Sequence, residues 1–142
     1  MKKFILFLLA AAILSAGPLP SAGASAGSIS TLSALQRCLE AAAPDDLLLS
    51  SPSVSLSGTV LEIRYCGQSN HYEALLQVED PEALKPIGRE APVLILHFRL
   101  HLEAVPFEVG DLISFSGSVN ALYSSVIIPN ILADTINGSA DF

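Results

Sequence analysis

The chain has 142 residues, with 14 acidic and 7 basic side chains. This length suffices for one domain with one modest hydrophobic core. The acidic balance argues against binding to nucleic acid or to an anionic membrane surface, because basic side chains supply most of that affinity. It is compatible with a cationic partner, a divalent metal or simple solubility.

The N-terminus has the layout of a bacterial Sec-type signal peptide. Lys2 and Lys3 precede an uncharged apolar run of 11 residues, Phe4 to Leu14, and small residues follow. A membrane span needs roughly 20 apolar residues. We therefore predict a signal peptide over 1–26, cleavage within 24–27, and a periplasmic or secreted protein with no membrane insertion afterwards. The alternative is a retained anchor or a buried helix. Without Lys2 and Lys3, 5 basic residues face 14 acidic ones, a net charge of −9.

Two cysteines, Cys38 and Cys66, are the only ones in the sequence. An even pair in an exported chain predicts one disulfide bond. Their spacing matches neither a C-x-x-C redox motif nor a Cys/His zinc pattern. Free or reactive thiols are the alternative.

A helical segment and linker are predicted over 27–51. Leu32, Leu35, Cys38 and Leu39 follow helical spacing, so one stripe of the helix is apolar. Ser30 or Thr31 can cap its start, and Pro44 ends it.

From residue 53 onward, apolar residues alternate with polar ones, which is typical of β-strands. Gly58 lies where the alternation of the first strand shifts, which predicts a β-bulge or a sharp coil there. Pro129 is expected to interrupt or end the last strand. Five strands are predicted, within 53–66, 71–79, 93–103, 111–121 and 124–136.

Two stretches, SLSGTVLEI over 55–63 and FEVGDLISFSGSV over 107–119, resemble the oligonucleotide/oligosaccharide-binding (OB) fold. The resemblance implies a mainly β chain, with a five-stranded OB-like barrel over 52–142 and one N-terminal α-helix. Residues 103–111 are too few for the helix that members of this fold usually insert between strands three and four. The N-terminal helix is therefore expected to plug the barrel end. A small β-sandwich or an incomplete roll is the alternative, and the resemblance does not identify a ligand.

The stretch LILHFRLHLE, residues 94–103, alternates apolar residues with polar ones. His97 and His101 lie about 13 Å apart along a strand, too far to ligate one metal ion together. We predict a ligand or partner face from the outward polar residues of strands two and three. Its members are His71, Glu73, His97, Arg99, His101 and Glu103.

One register would bring histidines together across these strands. If Glu79 lies opposite Val93, then Glu73 pairs with Arg99, and His71 lies opposite His101. His71 and His101 could then hold zinc or copper. The alternative is an ordinary polar barrel surface, since a slip of two residues separates this pair and keeps the alternation.

The sequence contains no G-x-S-x-G nucleophile motif and no glycine-rich phosphate loop. We therefore expect an exported, non-catalytic binding or envelope accessory protein, whose partner is a small ligand or an envelope protein. Nucleic acid is not expected, because few basic residues adjoin aromatic ones, as Arg64 adjoins Tyr65. One alternative is a metal-binding protein or metal-dependent enzyme that uses the histidines. Another is a structural subunit of an envelope assembly.

Overall fold

The computed structural model describes residues 28–49, 51–67, 70–102 and 104–142. The predicted signal peptide lies outside these residues. Two helices are present in the described part: α1, Leu32–Ala41, and α2, Pro44–Leu49. The second helix was not predicted, because Pro44 was interpreted only as a stop, whereas proline is also favourable in the first turn of a helix. Neither described helix is long and apolar enough to cross a membrane.

Five strands form a closed barrel in the order β1-β2-β3-β5-β4. All pairs of neighbouring strands are antiparallel except β3 and β5, which are parallel. The predicted mainly β, five-stranded barrel is thus confirmed, and it is consistent with an OB-like fold. The strands are β1 Ser53–Tyr65, β2 His71–Gln77, β3 Val93–Arg99, β4 Leu112–Val119 and β5 Asn130–Ile136. Pro129 directly precedes β5 and does not interrupt it.

Strand β1 pairs with β4 through its first half and with β2 through its second half. The bulge that shifts its alternation lies between Val60 and Glu62, so the prediction of a bulge at Gly58 is wrong. Gly58 instead allows a close approach of β2. A Cβ atom there would lie 2.9 Å from the carbonyl oxygen of Gln77 and 3.1 Å from the Cβ of Leu76.

Helix α1 packs against one end of the barrel. Thr31 caps it, since its hydroxyl oxygen accepts a hydrogen bond from the Ala34 amide at 3.2 Å. The side chains of Leu32, Leu35 and Leu39 are buried in the core. This confirms the predicted apolar stripe, although Cys38 is only half-buried.

The opposite end of the barrel is filled by aromatic rings. Phe98 lies at the centre, with its ring centroid 5.3 Å from that of Phe107, 5.7 Å from that of Tyr72 and 6.3 Å from that of Phe142. The barrel therefore has an aliphatic end under α1 and an aromatic end where β1 meets β2.

Both cysteines are free, so the predicted Cys38–Cys66 disulfide is absent from the structure. Cys38 lies in α1 at the aliphatic end, whereas Cys66 follows β1 at the aromatic end. The 13 residues of β1 separate the two ends. A disulfide requires Cα atoms within about 7 Å of each other, which this arrangement does not provide.

Candidate functional site

The predicted polar face lies on the outside of β2 and β3, but its register differs from the expected one by two residues. Glu73 lies opposite His97, and His71 lies opposite Arg99. The predicted pairing of His71 with His101 is therefore wrong. His71 instead contacts His97, which lies diagonally across the β2–β3 pair. The Nε2 atom of His71 is 3.1 Å from the Nδ1 atom of His97.

The predicted pair of Glu73 and Arg99 is also absent. Glu73 lies opposite Arg64 in the β1–β2 pairing, and the Arg64 guanidinium donates a hydrogen bond to its Oε1 atom at 2.9 Å. The other carboxylate oxygen, Oε2, lies 3.7 Å from Nδ1 of His97. Arg64 thus fixes one oxygen of Glu73 and leaves the other facing the histidines.

Asn130 determines the tautomer of His97. Its amide nitrogen donates to the carbonyl oxygens of Tyr123 and Ile128, both at 3.2 Å, so its Oδ1 atom must face His97 as an acceptor. Oδ1 lies 2.6 Å from Nε2 of His97, which therefore carries a proton. In neutral His97, the lone pair is then on Nδ1, directed towards His71 and Glu73. Both His97 and Asn130 are buried.

Cys66 completes a group that we call the four-residue cluster: Cys66, His71, Glu73 and His97. Ligand atoms of Cys66, His71 and Glu73 all lie within 4.8 Å of one another. Cys66 follows β1, and its backbone amide donates to the carbonyl of His71 at 2.9 Å. The β1–β2 hairpin therefore positions three members, and β3 supplies the fourth.

Local surroundings set the charge states in the cluster. Partial desolvation, and then the nearby carboxylate of Glu73, raise the pKa of the Cys66 thiol. Burial and the neighbouring His97 lower the pKa of His71. Burial acts to raise the pKa of Glu73, but hydrogen bonds from Arg64 and Cys66 outweigh it and lower that pKa overall. Near neutral pH, the cluster therefore holds a protonated thiol, a neutral His71 and an ionised Glu73.

A cleft of about 390 Å³ opens beside the cluster, between β3, β5 and the C-terminal residue. His71 and His97 form one wall, and Arg99 and His101 contribute exposed side chains. The backbone amide of His101 donates to the carbonyl oxygen of Phe142 at 2.7 Å, which joins the end of the described chain to this wall. The residues of the opposite wall come from β5 and the segment after it: Leu132, Ala133, Asp134 and Ala140.

The structure thus brings five of the six predicted face residues to one side of the barrel: His71, Glu73, His97, Arg99 and His101. The sixth, Glu103, lies outside the described residues. Leu102 precedes it and is 59% exposed, so the predicted inward alternation of β3 ends before this point.

A larger groove of about 540 Å³ lies between the start of α1 and strands β1 and β4. Most of its polar groups are serine hydroxyls. One of its two carboxylates, Asp80, is already occupied, because it accepts hydrogen bonds from the backbone amides of Ser33 at 2.8 Å and Glu82 at 3.0 Å, and the other is Glu79. This groove therefore offers less chemistry than the histidine-lined cleft.

Sequence reasoning missed three members of this region: Cys66, which was interpreted as a disulfide partner, together with Arg64 and Asn130. The pairing of Arg64 with Glu73 had a signal, because both residues flank the short β1–β2 turn on the same face. No local sequence pattern indicated the role of Asn130, because its partner His97 lies 33 residues earlier in the chain.

No family model and no curated protein matches this sequence. Among solved structures, the barrel is similar to a crystal structure from Klebsiella pneumoniae subsp. pneumoniae MGH 78578, described as a "putative nucleic acid-binding lipoprotein". The sequence identity is 18% and the TM-score is 0.47, over 74% of this chain and 87% of that one. At this level of similarity, the description concerns the Klebsiella protein alone.

Proposed function

We propose that this protein is an exported, non-catalytic binding protein whose ligand occupies the cleft beside β3 and β5. The observation that carries this proposal is the side-chain composition of that cleft. All three histidines of the sequence line it, together with Arg99, which forms no ion pair among the described residues. His71 of β2 and His97 of β3 place one wall of the cleft on the β2–β3 face, where OB-type barrels bind their ligands.

The ligand we propose is a small, partly apolar molecule that carries an anionic group. The guanidinium of Arg99 suits a carboxylate or phosphate, because its fork of donors matches two acceptor oxygens. Leu132 is 44% exposed on the opposite wall and suits an apolar part of the ligand. Nucleic acid suits the cleft less well, because Arg99 is the one lysine or arginine that lines it in the described part of the chain, whereas a nucleic-acid backbone is followed by a groove with several basic side chains.

Backbone NMR mapping tests this proposal. Uniformly labelled protein is titrated with a library of small carboxylates and phosphates, and separately with a short oligothymidylate. We expect resonances of β3 and β5 around Arg99 and Leu132 to shift with a small anion, and Arg99→Ala to abolish the shifts. Ser57→Ala, an exposed change in the other groove, is the matched control.

Shifts confined to the other groove, or shifts that survive in Arg99→Ala, would contradict the proposed cleft. Stronger binding of the oligothymidylate than of every small anion would replace the proposed ligand by a nucleic acid. Export is tested separately, by the N-terminal mass of protein recovered from the periplasm of a bacterial host. We expect cleavage within 24–27, in agreement with the pattern of the first residues.

A second candidate, a subunit of an envelope assembly, is favoured by the β4–β5 connection. Leu122 is 73% exposed there, Tyr123 70% and Ile127 41%. Contiguous exposed apolar surface is common at protein–protein contacts. Recovery of one stoichiometric partner from envelope extract, lost in the double variant Leu122→Ser with Ile127→Ser, would favour this candidate over a ligand-binding monomer.

A further inference from the structure

The four-residue cluster contains ligand types that transition metals prefer, gathered from three segments of the chain. Cys66 brings a sulfur, His71 and His97 bring ring nitrogens, and Glu73 brings a carboxylate oxygen. A thiolate, two imidazoles and one carboxylate are ligands of Zn²⁺, which takes four of them in a tetrahedron.

Two distances that involve His97 are close to those of a filled site, and the Cys66 sulfur, which lies within 4.8 Å of ligand atoms of His71 and Glu73, must move closer to His97 to complete the set. Two ligand atoms that are each about 2.1 Å from a tetrahedral zinc ion lie about 3.4 Å apart. Nε2 of His71 is 3.1 Å from Nδ1 of His97, and Oε2 of Glu73 is 3.7 Å from the same Nδ1. Shifts of a few tenths of an ångström therefore bring Nδ1 of His97 to ligand spacing from both of these atoms.

The surroundings of the cluster hold its ligands in the orientation that a metal requires. A metal-bound histidine usually donates its other ring N–H to a carbonyl or carboxylate oxygen, and His97 does so to Asn130 at 2.6 Å. Arg64 occupies one oxygen of Glu73 and leaves Oε2 available. His97 is also nine-tenths buried or more, with a relative exposure of 5%. An ordinary polar surface does not require this fixed orientation of a buried ring.

A disulfide bond does not account for the presence of Cys66 at this position. It is exposed, and the only other cysteine of the sequence lies at the opposite end of the barrel. An exposed free thiol is a liability, because it can oxidise or pair with another chain. Coordination to a metal removes that liability.

We propose that the four-residue cluster is a Zn²⁺ site, with Cys66, His71, Glu73 and His97 as its four ligands. Binding releases one proton, from the Cys66 thiol. His71 transfers its Nε2 proton to Nδ1 through solvent and binds through Nε2, whereas His97 binds through Nδ1 and keeps its Nε2 proton on Asn130. The thiolate and the carboxylate then neutralise the two charges of the metal. This inference goes beyond ligand binding in the cleft and rests on the geometry of the cluster itself.

The test uses the untagged protein, with Zn²⁺ and Co²⁺ as probes. We expect one equivalent of zinc by titration calorimetry against a competing chelator. We also expect Co²⁺ to give the intense visible absorption of a tetrahedral site, together with a thiolate-to-metal charge-transfer band. Cys66→Ser should remove that band, and His71→Ala should weaken zinc binding on the order of 100-fold.

His101→Ala is the matched control, because His101 lines the same cleft and lies outside the cluster. We expect it to bind zinc like the unaltered protein. The far-ultraviolet circular dichroism of each variant shows whether it folds, and His71 and Cys66 were chosen because neither side chain is fully buried.

The absence of stoichiometric zinc, the absence of the charge-transfer band, or an equal loss in His101→Ala would each overturn the proposed site. Failure of zinc binding would leave the anion-induced shifts around Arg99 unaffected, so the two proposals fail separately.

Discussion

At the α1 end of the barrel, polar side chains bond to the backbone, whereas in the four-residue cluster they contact one another. Gln36 is buried, and its amide donates to the carbonyl of Leu84 at 3.1 Å and accepts from the Leu84 amide at 2.7 Å. Asp80 accepts from two backbone amides in the same way. The backbone of the fold therefore supplies the hydrogen-bond partners of both side chains, so that they do not need a ligand.

The cluster differs because its side chains have lone pairs that face other side chains. Nδ1 of His97 lies near both His71 and Glu73, and one proton or one metal ion can satisfy all three. Substitutions at the α1 end should therefore change stability, and substitutions of the cluster ligands should change binding.

The largest expected effect is that of Leu35→Ala in α1. Leu35 is fully buried, so its truncation leaves a cavity under the helix and should lower the free energy of unfolding by about 3 kcal/mol. Urea denaturation measures this value. Leu84→Ala, at a side chain that is 51% exposed, is the control and should cost less than about 1 kcal/mol. Similar losses in both variants would contradict the packing of α1 against the core.

Asn130→Ala should have the next largest effect, although Asn130 adjoins the cluster. The substitution leaves the Nε2–H of buried His97 and the carbonyl of Tyr123 without their partner, whereas the carbonyl of Ile128 still accepts from the Ser125 amide. Unsatisfied buried groups of this kind cost about 2 kcal/mol. Thermal unfolding in the presence of chelator measures the loss. Asn120→Ala, in an exposed turn, should cost about 0.5 kcal/mol. Equal losses would mean that Asn130 does not support His97.

The alternation of apolar and polar residues predicted which side chains face the inside of the barrel. It did not predict the register between neighbouring strands. Ala74, Leu76 and Val78 are buried as the period-two pattern indicated. Both the predicted and the observed pairing of β2 with β3 keep those residues inside, since they differ by two positions. The sequence therefore could not decide between His97 and His101 as the neighbour of His71.

Local sequence patterns also could not predict which distant segments of the chain lie close together in the fold. The disulfide prediction used only the number of cysteines and the predicted compartment. Whether Cys38 and Cys66 can meet depends on which end of the barrel α1 covers, and that depends on tertiary contacts such as the one between Ser33 and Asp80. The helix itself was predictable, because Thr31 and the leucine spacing are local signals.

Asp80→Asn tests the polar contacts of the α1 end. The hydrogen bond from the Ser33 amide, at the first turn of α1, lowers the pKa of Asp80. Because the folded state favours the carboxylate, its contribution is full above the unfolded pKa of about 3.9 and is lost as the pH falls through the lower folded pKa.

At neutral pH, we expect Asp80→Asn to cost about 1 kcal/mol, since a charge near a helix N-terminus is lost. The difference from the unaltered protein should shrink on acidification below about pH 4. Urea denaturation at several pH values measures both effects. Glu90→Gln, at an exposed position of the β2–β3 connection, is the control. A difference that grows towards acid pH would contradict the role of Asp80.

The smallest effect on the metal-free protein is expected for His71→Ala, and it gives the sharpest contrast between the two regions. His71 is only partly buried, and its ring contacts His97 without filling the core. With chelator present, its loss should change the free energy of unfolding by less than about 0.5 kcal/mol.

Zinc should largely remove the difference in stability between His71→Ala and Leu35→Ala. A ligand that binds only the folded state stabilises it by about 2.7 kcal/mol at a free concentration 100 times its dissociation constant. The unaltered protein and Leu35→Ala should both gain this amount in zinc-buffered urea denaturation, since Leu35 lies at the far end of the barrel. His71→Ala should gain almost nothing. If His71→Ala instead destabilises the metal-free protein as strongly as Leu35→Ala, then the histidines support the fold in the way that Gln36 and Asp80 do, and the contrast between the two regions disappears.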